Sequence, residues 1–370
     1  MINSKSTFPT LSYDYEIRQA YKGGFTYLKH ECENKDFNEG IVLDVNSLYP
    51  YVMYEKPLPY GEGKHFIGKY NEDKQYNLYI QTFTCRFKLK EGYIPTIQLK
   101  NNLSFVPTEY ISTSGDEDVT LCLTNVDMKL FFKHYEVDGE IDWVDGWKFR
   151  SSNKLFKKYI DKWISIKIEA DEKKNKGLRT LAKLMLNSLY GKFGLNPNVR
   201  SKYPYLDSDG IVRYMLGEKE KREPIYIPVS VFVTSWGRYI TISAAQNEFD
   251  RFIYADTDSL HLSGMEEPKN VDIHPTKLGA WKHESSFLRA RYVRAKAYIE
   301  DEVDNTFYLP DKNLYGSTSL KITCSGMPKQ CYKNVTWENF CVNSVFDGKL
   351  MQRHVVGGIV LKSTPFTIRK

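Results

Sequence analysis

A turn of the form Asp256-Thr257-Asp258 lies between two apolar runs, FIY and LHL, within RFIYADTDSLHL (251–262). Short apolar runs broken by a polar turn predict two strands folded back on each other, with both acids presented at the bend. Another acid, Asp44, sits near the end of a third apolar run, IVLDV (41–45), read as a buried strand that breaks at Pro50. If these strands are neighbours, Asp44, Asp256 and Asp258 gather at one sheet edge although they are far apart in the chain. Carboxylates gathered in this way need cations, and hard oxygen ligands favour magnesium, with manganese as its substitute. Two such ions about 3.5 to 4 Å apart activate a hydroxyl and steady a departing pyrophosphate.

Residues 153–190 predict two helices joined by the charged stretch EADEKKNKG (169–177). In the second, Leu178, Leu181, Ala182, Met185 and Leu189 recur at intervals of three and four, which predicts one buried face. Arg179, Lys183, Asn187 and Tyr190 form a separate stripe on the same helix. Two cations one turn apart suit the β and γ phosphates of a nucleotide, where charge builds in a transfer reaction. Asn187 and Tyr190 are expected deeper, towards a base pair. The surrounding segment is basic, with twelve Lys or Arg between Lys148 and Lys183 against four Asp or Glu, and it suits a polyphosphate or a nucleic-acid backbone. The 27 tyrosines can stack on bases and sugars or fill a core.

Elsewhere the pattern is mixed. Between Lys56 and Asp145 strand-like runs, NLYIQTFTCRFKL and DVTLCLTNVDMKLFF, alternate with Gly, Pro and acidic turns, as in an α+β fold. A hairpin is expected after Gly194, a helix from Ile227 to Phe249, and strands in HVVGGIVL and PFTIRK. The six cysteines form no CxxC pair and no His pair stands beside them, which argues against a zinc site and for reduced thiols. No apolar run reaches the length of a membrane span and the N-terminal stretch is polar, so the expected compartment is a cytoplasm with no membrane partner.

Three segments resemble the polymerase motifs A, B and C of family B DNA polymerases: DVNSLYPYVM (44–53), KLMLNSLYGKFG (183–194) and YADTDS (254–259). Together with YKGG (21–24), WKHES (281–285), KAY (296–298) and the closing GGIVL and FTI, the wording is similar to the protein-primed branch found in small tailed phages. The resemblance implies a right-hand polymerase of palm, fingers and thumb, with an antiparallel palm sheet, acting on a DNA template-primer and deoxynucleoside triphosphates in a host cytoplasm. It implies palm at 1–55 and 227–327, fingers at 153–194 and thumb at 328–370. An insertion at 56–152 would dock a terminal (priming) protein. A second, at 195–226, would be a hairpin that encircles the template and displaces the other strand. The long interval between Asp44 and Lys183 fits the first of these.

Residue by residue, the resemblance implies that Asp44, Asp258 and the Val45 carbonyl hold two Mg²⁺ or Mn²⁺ ions, with Asp256 in support. Tyr49 would pack under the sugar and exclude a 2'-hydroxyl. Lys183 and Arg179 would contact the triphosphate, joined by Lys167 or by one of Lys173, Lys174 and Lys176, while Asn187 and Tyr190 would border the nascent pair. Lys296 and Tyr298 would hold the primer strand, Thr234 and Arg238 would touch template or primer, and Tyr21, Gly23 and Gly24 would bind single-stranded template. Members of the family begin with a proofreading exonuclease domain, whereas little precedes YKGG here, so either the exonuclease is a separate subunit, the favoured expectation, or this chain is a fragment of a longer one. A reverse transcriptase or RNA polymerase also uses palm carboxylates, but its metal turn carries adjacent acids. A non-catalytic relic has no chemical reason to keep Asp44, Asp258 and Lys183 together.

Overall fold

The computed structural model describes residues 4–98, 110–210, 212–303, 318–356 and 358–369. Its centre is an eight-stranded antiparallel sheet. Phe252–Asp256 and Ser259–Ser263 form the expected hairpin, and Ser259–Ser263 pairs in turn with Gly40–Val45. On its other edge Gly40–Val45 pairs with Trp281–Arg294, which leads on through Ala297–Val303 to Thr318–Cys324. Apart from Asp44 the IVLDV strand is apolar because both of its faces are covered: Ile41, Leu43 and Val45 join one core cluster and Val42 another.

The long helix Pro228–Asn247 packs against this sheet, and its Val229, Val231, Phe232, Val233, Ile242 and Ala245 join Ile41 and Leu43 in the main core. A helix apolar on nearly every side is stable only when surrounded, and this one is buried along most of its length. Pro50 is not what breaks the strand, as the sequence suggested, since the strand already ends at Val45. It lies in the first turn of the helix Leu48–Glu55, where a missing backbone N–H costs nothing.

Residues 58–152 build a second sheet in the order Leu58–Ile67, Tyr135–Ser152, Leu78–Leu89, Val119–Thr124. The run DVTLCLTNVDMKLFF is only half strand, since Asn125–His134 is a helix. Thr124 accepts a hydrogen bond from the Asp127 N–H at its start, and Val126, Leu130 and Phe131 are buried. The basic segment forms the helices Lys157–Glu172 and Lys176–Phe193. Most of EADEKKNKG is therefore helical, because Glu and Lys are good helix formers. Only residues 173–175 connect the two, with Asn175 capping the Leu178 N–H at 3.1 Å. The buried face of the second helix is Ala182, Leu186 and Phe193, while Leu181, expected inside, is exposed.

Asn198–Leu206 and Val212–Lys221 form the predicted hairpin. The C-terminal lobe holds Cys331, Val335, Phe340 and Phe346 in its own core and ends in a hairpin of Val345–Val355 and Gly358–Thr367. HVVGGIVL is thus the turn of this hairpin and parts of both its strands, not one strand; Gly357 lies outside the described residues. All six cysteines are free thiols, and no helix among the described residues is long and apolar enough to cross a membrane.

Candidate active site

Asp44 and Asp258 meet because of strand register. In the ladder Asp44 stands opposite Ser259 on one side and Lys282 on the other, and the Val45 N–H donates to the Asp258 carbonyl at 2.8 Å. The bend that carries Asp258 is strained, since Thr257 adopts φ +62°, an unfavourable region for a β-branched residue. Its backbone is clamped from two sides: the Thr257 N–H donates to the Phe25 carbonyl at 2.6 Å, and Thr241 Oγ1 donates to the Thr257 carbonyl at 2.6 Å. Strain of this kind persists only where the surroundings over-determine it, and it concentrates at functional sites. Gly24 belongs to the same clamp, because a Cβ there would lie 2.6 Å from Thr257 Oγ1. The absent side chain of Gly24 makes room for the acidic turn, whereas Gly23 faces open space.

Both acids hold their protons more tightly than free carboxylates. Burial pushes Asp258 up to about 6, with the charge of Asp44 as the next cause. Burial also raises Asp44, opposed by the Lys282 ammonium and reinforced by Glu284. Asp256 is occupied differently: Lys296 Nζ reaches its two oxygens at 2.8 and 2.6 Å, and Thr26 and Tyr254 donate to it at 2.9 and 3.2 Å. Among the described residues no group of three or more His, Cys, Asp or Glu converges at metal-ligand distance. What the site offers a cation is therefore a half-buried, mutually repelling pair of hard carboxylates.

The expected basic stripe gathers above the pair. Lys167 is half-buried; burial lowers the proton affinity of its ammonium, and the charges of Arg179, Lys183 and Lys282 lower it further, with Asp171 opposing. The charge of Lys183 also reaches Asp44. Lys167 thus lies within reach of the charges of Arg179 and Lys183. Lys173 is engaged with Glu169 at 2.6 Å, and Arg179 is steadied by Asp171 at 2.5 Å. Lys183 and Asn187 are exposed on the helix surface.

Tyr49 is wedged between two elements. A Cβ at Gly237 would lie 3.0 Å from its ring, and on the other side the Tyr190 ring centroid is 4.1 Å away at an interplanar angle of 42°. Burial raises both phenols first; Tyr190 raises Tyr49 further while the Tyr49 hydrogen bond lowers Tyr190, and the charge of Asp258 adds to raising both, which puts the two rings beside the acids. Tyr21 approaches the end of the same helix, where a Cβ at Gly194 would lie 2.5 Å from its hydroxyl.

Two expectations need correction. Arg238 is buried and fully spent inside the protein: Nε and Nη2 form a fork on Asp127 at 3.0 and 2.7 Å, and Nη1 donates to the Lys22 and Gly23 carbonyls at 2.9 and 2.8 Å. It holds the YKGG loop through those two carbonyls, rather than standing at the surface as a nucleic-acid contact would. Thr234 is also buried and donates to the Ser230 and Val231 carbonyls of its own helix. Lys296 is committed to Asp256, and Tyr298 packs among Tyr254, Tyr292 and His261 with centroids 5.2 to 5.5 Å away. Sequence reasoning missed Asp127 and Lys282. The first was signalled by Thr124-x-x-Asp127, a capping pattern; the second lay within WKHES but was assigned no role.

Residues 3–274 match the family described as DNA polymerase type B, organellar and viral. The chain is 48% identical over 370 residues to the DNA polymerase of Bacillus phage Nf, covering 98% of this chain and 64% of that protein. It is 37% identical over 354 residues to that of Streptococcus phage Cp-1, covering 94% of this chain and 59% of that protein. Among solved structures, phi29 DNA polymerase complexed with primer-template DNA and incoming nucleotide superimposes with a TM-score of 0.90 at 46% identity, over 99% of this chain and 64% of that one. The chain therefore spans just under two thirds of the length of these phage relatives, and it shares the right-hand fold.

Proposed function

This chain belongs to the type B DNA polymerases of organelles and viruses, and we propose that it extends the 3' end of a DNA primer from deoxynucleoside triphosphates on a DNA template. The observation that carries this reading is the meeting of Asp44, on its strand, with Asp258, on the turn that leads into the adjacent strand, beside the charges of Lys167, Arg179 and Lys183. The donor set fits divalent cations: two hard carboxylates, whose raised proton affinity comes first from burial and, for Asp258, next from the charge of Asp44, with the Val45 carbonyl as a further oxygen. When bound, a pair of Mg²⁺ or Mn²⁺ ions supplies activation of the primer hydroxyl and stabilisation of the pyrophosphate leaving group.

The chain's own residues do the rest. The primer 3'-oxygen bonds to the α-phosphorus as the α–β bridging P–O bond breaks, and Lys167, Arg179 and Lys183 hold the triphosphate and the charge that develops on the pyrophosphate. Asn187 and Tyr190 border the new base pair. Tyr49, fixed between Gly237 and Tyr190, lies under the deoxyribose, where a 2'-hydroxyl would strike the ring. Replacing it in Tyr49→Val should lower the preference for deoxynucleotides over ribonucleotides, measured as the ratio of kcat/KM values, by about tenfold or more. An unchanged ratio would remove Tyr49 from the sugar gate.

Protein priming and strand displacement belong to the same proposal. The hairpin Asn198–Leu206/Val212–Lys221 exposes Tyr203, Leu206, Tyr214 and Leu216, a surface able to stack on and separate nucleic-acid strands. The second sheet exposes Ile67 and Val144 and the helix Asn125–His134 exposes Phe132, which supports docking of a priming protein in this region. The relative solved with primer-template DNA and incoming nucleotide supports the same two partners here. Primer extension with Mg²⁺ and the four deoxynucleotides tests the reading: the primer should lengthen one nucleotide at a time, and failure to lengthen with a well-folded chain would overturn it.

A further inference from the structure

Lys282 has no part in the scheme above, yet its ammonium touches the acid pair. It stands directly opposite Asp44 in the antiparallel ladder, with Nζ 3.4 Å from Asp44 Oδ1 and a second contact to the Glu284 carboxylate. The side chain is about 30% exposed, so it is anchored on the sheet but has room to move. Its charge also reaches Asp258 and is felt by Lys167, which locates the ammonium between the carboxylates and the basic cluster.

Two half-buried carboxylates, one on a strand and one on the turn beside it, repel one another, and an ammonium at one of them relieves that repulsion. A divalent cation binding Asp44 Oδ1 would have to approach an oxygen that Lys282 already faces. Two positive charges at that separation repel strongly in a partly desolvated site, so the ammonium must withdraw, and Glu284 offers it a place. We propose that Lys282 is a resident counter-cation of the acid pair: it neutralises Asp44 while no divalent cation is bound and competes with divalent-cation binding there. The proposal rests on the reading of Asp44 as a metal ligand and adds that this chain carries a built-in competitor for that metal.

The test is Mn²⁺ binding to the whole chain, followed through the electron paramagnetic resonance signal of free Mn²⁺, with Asp44→Asn defining the binding that depends on the pair. Lys282→Met should bind Mn²⁺ about tenfold more tightly than the unaltered chain, since a like charge facing the ion has gone. Lys282→Arg, which keeps the charge, should bind much as the unaltered chain does. Equal or weaker binding by Lys282→Met would overturn the proposal, and so would the absence of any Mn²⁺ binding that Asp44→Asn removes. Lys282→Gln repeats the measurement if Lys282→Met melts early. Primer extension by the unaltered chain separates the two readings: extension without the affinity shift sinks the counter-cation alone, and the shift without extension sinks the polymerase alone.

Discussion

Asp258→Asn should reduce primer extension at least about a thousandfold while making the metal-free chain more stable. The loss follows from removing one of two carboxylates that must hold cations against developing phosphate charge, where about 4 kcal/mol of lost transition-state stabilisation corresponds to three powers of ten. The gain in stability follows from the raised proton affinity of Asp258, about 6 in the fold against 3.8 as a free group. A carboxyl whose folded pKa lies above its unfolded one favours the fold fully below the unfolded pKa, and that contribution is lost as pH rises through the folded value. At neutral pH without metal the ionised Asp258 therefore weighs against the fold by an amount on the order of 1–3 kcal/mol. Asparagine has nearly the same shape and no charge, so the variant should melt a few degrees higher in chelator and should lack the part of the pH 4–6 stability slope that Asp258 supplies. Thermal melts across that range, beside extension assays and DNA-binding titrations, check both halves. A variant that loses activity through lower stability, or that loses DNA binding altogether, would contradict this account of Asp258.

Arg238→Met should cost roughly 3–5 kcal/mol of stability, because it leaves the Asp127 carboxylate buried without its partner. Burial alone would raise the pKa of Asp127, but the charge and hydrogen bonds of Arg238, with Lys22 and Ser235 in support, hold it below the usual carboxylate range. The substitution also frees the Lys22 and Gly23 carbonyls that Arg238 binds. Gly24 and Phe25 follow directly and touch the strained Thr257 turn, so the damage should spread to the acid pair. Adding Asp127→Asn to Arg238→Met removes the orphaned charge and should recover part of the lost stability, although the loop carbonyls remain unheld. Urea unfolding of the two single variants and the double variant checks this. A cost below about 1 kcal/mol for Arg238→Met would mean that the pair is not the tether inferred here.

These two residues also show what the amino-acid sequence reveals and what it conceals. Asp258 was legible because its acidic turn between apolar runs occurs together with Asp44 at the end of another apolar run and with a basic helix stripe, and the strand hairpin formed as expected. Arg238 was misread because an arginine within a helix looks the same on paper whether it faces solvent or a buried acid, and its partner Asp127 is remote in the chain. The neighbouring helix, Asn125–His134, was hidden by the β-like LCLT that precedes it, although Thr124 and Asp127 carried the capping signal. In the two basic helices, charge was mistaken for a linker: Glu169 to Glu172 complete one helix, and only residues 173–175 turn the chain. Lys282 could not be found by local reasoning, because its placement opposite Asp44 depends on sheet register, and a slip of one residue would point it to the other face.

The central claim is that Asp44 and Asp258 share divalent cations beneath the basic cluster. Crystals of this chain with primer-template DNA, a non-hydrolysable deoxynucleotide and Mn²⁺, measured for anomalous scattering at the manganese edge, test it most directly. The account predicts anomalous peaks within coordination distance of both carboxylates, with the nucleotide triphosphate between them and Lys167, Arg179 and Lys183. Peaks bound elsewhere, with both side chains free of metal, would contradict it.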